Sequence, residues 1–250
     1  MSGETYEAIF WAAMATFLVA GIIKGTIGIG LPTTAIGILS QFTDVRLAIT
    51  LAVLPIVAGN AWQMFRSGNI FSTARRYATF AVALIIVLFV TAVTVTNVPT
   101  QALVVMLGTV IVLFSLVSLS FTPPRLPDSW DRPAQAVSGV AAGILGGLTA
   151  IWAPPVLIYF LSRRIEKDEF IRATALLLLA GSLPLLAGYL VNGQLLGETG
   201  KLSALLIIPT LVGFTFGEYL RSKLNADRFR AAVLVMFLLM GLNLLRRAFF

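Results

Sequence analysis

Lys24 stands inside an apolar segment, in the stretch "GIIKGTIGIGLPTT" at 21–34, and no acidic residue falls at the centre of any apolar run. All five Asp lie in loops or at expected helix ends. An unpaired charge at the centre of a bilayer costs about 3 kcal/mol or more. Two readings follow. Either the ammonium receives an incoming anion, or it ends a nearly full-length helix and snorkels to the far headgroups.

The residues that follow Lys24 break a helix and then restart one. Gly25, Gly28 and Gly30 permit non-helical dihedrals and close approach, and Pro32 suits the first turn of a new helix. A helix opening near Leu31 aims free N–H groups and its positive dipole end into the protein. Pro154–Pro155 predict the same device later in the chain, beside Gly146, Gly147 and Trp152. Two such N-termini near the midplane form an anion site without any charged side chain, and Thr26, Thr33, Thr34 and Thr149 add hydroxyl donors. The glycines equally suit close helix packing.

Asn60 and Gln63, three apart on one helix, share a face. They line a pathway or hydrogen-bond between helices. Trp62 and Trp152 pack against an organic ligand, or serve as belt or core tryptophan.

Other chemistry is excluded by composition. With no Cys and no His in 250 residues, the chain has no thiol nucleophile, disulfide, zinc site, haem ligand or His-based triad. No enzyme activity, metal or cofactor is expected. The net charge of +7 does not indicate nucleic acid, because the basic residues sit in short loops between apolar runs, where they report membrane orientation.

The elements that must position these residues are membrane helices. The chain is 58% hydrophobic and 12% charged, with mean hydropathy +0.93; a soluble domain carries about twice that share of charge. The start, with Glu4 and Glu7 and no basic n-region, reads as a retained helix, not a cleaved signal. Segments 46–65, 77–96, 100–121, 170–191, 202–219 and 229–245 are long enough to cross a bilayer. Shorter segments form two pairs, 7–24 with 31–40 and 134–147 with 152–162, each joined by a Gly/Pro break.

The polar stretch "FTPPRLPDSWDRP" at 121–133 reads as a non-helical linker between two halves. "GIIKGTIG" at 21–28 matches "GVAAGILG" at 139–146, and "SGNI" at 67–70 matches "NGQL" at 192–195. Pro55 and Pro184 kink their helices at similar places. If each short pair is a hairpin entering and leaving by one face, thirteen of the eighteen Lys and Arg fall inside and four, Arg46, Lys201, Arg246 and Arg247, outside. That asymmetry supports the topology. The expectation is an all-α polytopic membrane protein of two inverted-topology repeats. Each repeat holds a re-entrant hairpin and three transmembrane helices, giving about eight membrane segments. The N-terminal repeat covers 1–121, a cytoplasmic linker 122–133 and the C-terminal repeat 134–250, with the amino terminus outside. Inverted repeats with interrupted helices point to a secondary transporter, with a passive channel as the alternative.

"GIIKGTIGIGLP" and "GVAAGILGGLTAIWAPPVLIYFL" resemble the paired signatures of the sulfite exporter TauE/SafE family of membrane transporters, and "EKDEFIRATALLLLAGSLPLLAGYLVNGQL" is similar to its second half. The resemblance implies movement of a small anion, in the class of sulfite, sulfoacetate and other organosulfonates, across the cytoplasmic membrane of a prokaryotic cell. The expected partners are that anion, the lipid bilayer and, in a homo-oligomer, further copies of the chain. Here "TAIWAPP" sets Ala150, Trp152 and Ala153 where small glycines are more common, which implies a narrower or more aromatic pocket.

Overall fold

The computed structural model describes residues 3–68, 71–94, 98–120 and 123–249, and every regular element among them is helical. In chain order these are α1 (Gly3–Ile27), α2 (Leu31–Leu39), α3 (Val45–Arg66), α4 (Phe71–Arg76), α5 (Ala78–Thr94) and α6 (Thr100–Ser120). A 3-10 turn at Asp128–Trp130 then leads into α7 (Asp131–Thr149), α8 (Ala153–Arg163), α9 (Lys167–Val191), α10 (Gly197–Leu205), α11 (Ile207–Arg221) and α12 (Ala226–Phe249).

Six helical stretches among the described residues are long and apolar enough to cross a bilayer: Ile9–Ile27, Val45–Arg66, Thr100–Ser120, Asp168–Val191, Gly197–Arg221 and Asp227–Phe249. Five coincide with expected spans. The sixth does not: 7–24, read as a short segment, continues to Ile27, whereas 77–96 yields the shorter Ala78–Thr94. Residues 69–70 of "SGNI" and 95–96 of the expected 77–96 segment lie outside the described residues.

Two further boundaries differ for local reasons. The linker 122–133 ends early, because α7 opens at Asp131 and tolerates Pro133 in its first turn, where no intrahelical N–H is needed. The segment 202–219 is not one helix. α10 stops and α11 starts around Leu206, because Pro209 has no N–H to offer the carbonyl of Leu205. Pro55 makes the same demand inside α3, leaving the Leu51 carbonyl without its usual donor. Ser203 Oγ of α10 supplies one at 2.9 Å.

Glycines set the helix seams. A Cβ on Gly25 would lie 2.1 Å from the Phe214 carbonyl oxygen, and one on Gly217 would lie 2.2 Å from that of Ile22. α1 and α11 therefore touch backbone to backbone. Gly139, Gly143 and Gly147 of α7 lie likewise against Phe80, Val87 and Thr91 of α5. Such approach maximises dispersion contact where lipid offers no hydrophobic drive. Phe17, Phe80, Phe160, Phe214 and Phe237 fill the interior, while Ile86, Val90, Leu113, Val212 and Leu239 face outward.

These contacts give directions and levels. α1 runs parallel to α11, with Leu18 at Gly213 and Ile22 at Gly217. Arg66 pairs with Glu218 at 3.5 Å, so α3 ends at the same level as α11. α9 begins beside the start of α5, where the Tyr77 hydroxyl donates to Glu169 at 2.6 Å. It ends beside the end of α5, where Asn192 donates to the Ala92 and Val93 carbonyls. The break between α1 and α2 is thus level with the ends of α3 and α11, and that between α7 and α8 with the ends of α5 and α9. Only residues 67–70 separate α3 from α4, and Tyr77 alone separates α4 from α5, so the two breaks lie toward opposite ends of the bundle. At the far end of the second hairpin, Asp131 of α7 accepts from Tyr159 Oη at 2.7 Å and pairs with Arg163 Nε of α8 at 3.0 Å, holding both free ends together.

Candidate functional site at the α3–α9 crossing

Both breaks form where the backbone needs a left-handed residue. Gly28 has φ 92° and Gly30 has φ 100°, conformations that cost a side chain energy and cost glycine little. Pro32 follows in the first turn of α2. In the second half Ala150 takes the left-handed position itself, at φ 57°, and α8 opens with Ala153, Pro154 and Pro155. No side chain caps the start of α2 or α8. Their supply of N–H groups differs, because Pro154 and Pro155 carry none. α2 presents the amides of Leu31 and Thr33; α8 presents mainly that of Ala153.

The end of α1 is closed from α11, by a residue just beyond the expected span 202–219. Arg221 donates from Nη2 to the Gly25 carbonyl at 2.7 Å and from Nε to that of Thr26 at 2.9 Å, satisfying two carbonyls the broken helix leaves open. Nothing in the sequence marks this pairing, which spans almost two hundred positions.

Lys24 is 1% exposed. Its Nζ donates to Asn60 Oδ1 and to Gln63 Oε1, each at 2.7 Å. Both partners are neutral, and among the described residues no carboxylate pairs with it. Glu218, on the α11 side of the seam, pairs with Arg66. An ammonium carries three N–H donors, so one remains. The reading that Asn60 and Gln63 bond between helices therefore holds, and their shared partner is Lys24.

From Asn60 the connection crosses to α9: its Nδ2 donates to the Leu178 carbonyl at 3.0 Å. Trp152, from the other break, lies on the same face of α9. A Cβ on Gly181 would fall 2.6 Å from Trp152 Nε1, and three residues of helix rise by about 4.5 Å. The two breaks sit at different depths, yet Lys24 and Trp152 bring them to one stretch near the middle of α9. Trp152 is 1% exposed, and among the described residues its indole N–H has no partner; Thr174 Oγ1, one turn from Leu178, is buried and unpartnered there too. Buried polar groups are normally hydrogen-bonded, so this crossing holds three donors, on Lys24, Trp152 and Thr174, with capacity to spare.

Not every expected residue is there. Gly25 belongs to the α1–α11 seam, Gly147 to the α5–α7 seam, and Gly146 lies between Leu88 and Trp152. Gly28 faces Gln63, and Gly30 faces Ile23 and Phe237. Thr26 donates to the Ile22 and Gly217 carbonyls, Thr34 to that of Gly30, and Thr149 to that of Leu145. Those hydroxyls are used within the fold. Thr33 and Pro154 are buried in the first turns of α2 and α8. Trp62 is not at the crossing: it lines an outward groove with Phe216 and Tyr219, under the guanidinium of Arg66. Sequence reasoning missed Gly59, Gly181 and Thr174. Gly59 and Gly181 hold the same place counted from the starts of α3 and α9, a usable signal. They make room for the side chains of Lys24 and Trp152 respectively.

An all-helical bundle with outward apolar faces, broken helices and a buried polar crossing defines a multi-pass membrane protein of the transport class. The family model for the sulfite exporter TauE/SafE matches residues 13–244, and the chain belongs to that family. No curated protein and no solved structure matches the chain.

Proposed function

We propose that the protein is a secondary transporter that moves a small anion across the cytoplasmic membrane by alternating access, taking the anion at the α3–α9 crossing. The observation that carries this reading is Lys24: a fully buried amine, held by two neutral amides, with an N–H to spare and no carboxylate partner. An anion arriving there meets the charge that the protein leaves uncompensated, and the buried donors of Trp152 and Thr174 lie along the same stretch of α9. The α2 N-terminus adds its dipole from one side.

The halves 1–121 and 134–250 act as inverted repeats about this crossing, with 122–133 as their cytoplasmic linker. Their packing supports that reading. Exchanging the halves turns the α1–α11 contact into the α7–α5 contact, and the α4–α5 interruption at Tyr77 into the α10–α11 interruption at Leu206. With the amino terminus outside, each half contributes a hairpin and three crossings. An inside-negative potential contributes about 2.3 kcal/mol per charge per 100 mV, so it drives anion export without a coupling ion. The substrate class is sulfite and small organosulfonates, and the buried indole favours the smaller members.

Counterflow of labelled sulfite in proteoliposomes tests the proposal. Unlabelled sulfite on the opposite side is expected to accelerate exchange, and Lys24→Gln to reduce it at least about tenfold, the loss of one charge-assisted hydrogen bond. Undiminished flux in that variant removes Lys24 from the mechanism. Flux without trans-acceleration makes the protein a pore.

A further inference from the structure

The four basic residues that break the charge asymmetry are not scattered. Three of them, Arg46, Arg246 and Arg247, gather at the end of the bundle opposite Arg221, where a cavity of about 470 Å³ lies between the end of α2, the start of α6 and the end of α12. Arg247 lines it and uses Nη1 alone to bind the Ser40 and Gln41 carbonyls, at 2.8 and 2.5 Å. Its Nε and Nη2 remain. Arg46 bonds the Val98 carbonyl and Thr100 Oγ1, and Arg246 bonds Asn243. None of the three forms an ion pair among the described residues.

Two helix N-termini also open here. That of α3 is occupied: Asp44 Oδ1 accepts from the Arg46 and Leu47 amides at 2.8 and 3.4 Å. That of α6, a helix of 21 residues beginning at Thr100, has no acidic residue in its first turn. Thr100 and Gln101 both line the cavity. Facing them, Ser40 also lines it, is 4% exposed, and has an Oγ with no hydrogen-bond partner among the described residues. An orphaned buried hydroxyl is uncommon unless something absent satisfies it. Arg247 on the lining, with the one lining carboxylate, Asp44, already engaged at α3, fixes the sign of the expected partner.

We propose that this cavity is a second binding site, for a small oxyanion, formed by Ser40, Arg247 and the first turn of α6. An oxyanion accepts simultaneously from a hydroxyl, a guanidinium and helix amides; a cation meets the guanidinium of Arg247. The proposal extends the transport reading, since under it the cavity lies at the outer face, where an exported anion leaves.

Equilibrium binding of labelled sulfite to the protein in nanodiscs at low salt separates the two sites. The wild type is expected to bind two anions per chain. Ser40→Ala removes a hydroxyl that holds nothing else in the fold, and is expected to weaken one of the two about tenfold; Arg247→Gln is expected to abolish it. Lys24→Gln is expected to remove only the other. Wild-type binding in Ser40→Ala with an unchanged melting point overturns the outer site, as does a single sulfite per wild-type chain that Lys24→Gln eliminates. Binding that Ser40→Ala weakens and Lys24→Gln leaves intact sinks the crossing instead and keeps this site.

Discussion

Asn60 donates to the main-chain oxygen of Leu178 at 3.0 Å, and this one bond joins the helix that holds Lys24 to the helix on which Trp152 rests. Its other end accepts from Lys24. The amide is thus oriented from both sides, oxygen toward the amine and nitrogen toward the carbonyl.

That orientation makes Asn60→Asp an informative substitution. The carboxylate supplies Lys24 with a permanent counterion and gives up the bond to Leu178, so the melting point is expected to move little. Sulfite affinity, read by calorimetry, is expected to fall at least about tenfold as the introduced charge competes with the anion. Full-strength binding in this variant excludes Lys24 as the anion's partner.

Gly181→Ala drives a methyl into Trp152, whose Nε1 and Cε2 would be 2.6 and 2.7 Å away. Overpacking of this kind costs about 1–3 kcal/mol. Trp152→Leu in the same background is expected to recover most of the melting temperature, because the three nearest atoms to the added methyl all belong to the indole. Failure to recover places the strain elsewhere in the backbone.

Ser203 and Pro55 form a second pair. Ser203→Ala leaves the Leu51 carbonyl buried without a donor, which costs about 1–3 kcal/mol. With Pro55→Ala the helix regains an N–H for that carbonyl, so Ser203→Ala is then expected to be nearly neutral. A double-mutant cycle on thermal stability checks the coupling; simple additivity rules the pairing out.

Glycines on a seam and glycines beside a side chain are expected to differ. Gly217→Ala sets a Cβ 2.2 Å from a backbone oxygen and must part α1 from α11, whereas Gly59→Ala meets the Leu31 Cδ1 tip at 3.1 Å and the Lys24 stem at 3.6 and 3.7 Å, all flexible side-chain atoms. The first is expected to lower stability by about 3 kcal/mol or more and the second by less than about 1 kcal/mol. Equal melting points for the two variants contradict the backbone contact.

The helix breaks were legible because their causes are local. Gly28, Gly30 and Pro32, and later Pro154, impose dihedrals and remove donors at their own positions, and the structure restarts its helices at Leu31 and Ala153. The interruption at Leu206 was not read, because hydropathy runs over it, although Pro209 carries the local signal. The length of α1 was not. Gly21 and Gly25 lower helix propensity in isolation, and only α11, by packing its backbone against them, makes the helix continue past Lys24.

Sequence by itself determined that the chain is helical, lies in a membrane, lacks Cys and His chemistry and carries one cation inside an apolar segment. These follow from composition and short-range patterns. Only the tertiary structure decided that Lys24 meets Asn60 and Gln63, that Trp152 is buried over Gly181 with its N–H unpaired, and that Arg221 seals the end of α1. Each of those depends on which helices touch and at what level, a property of long-range packing that no local window of residues contains.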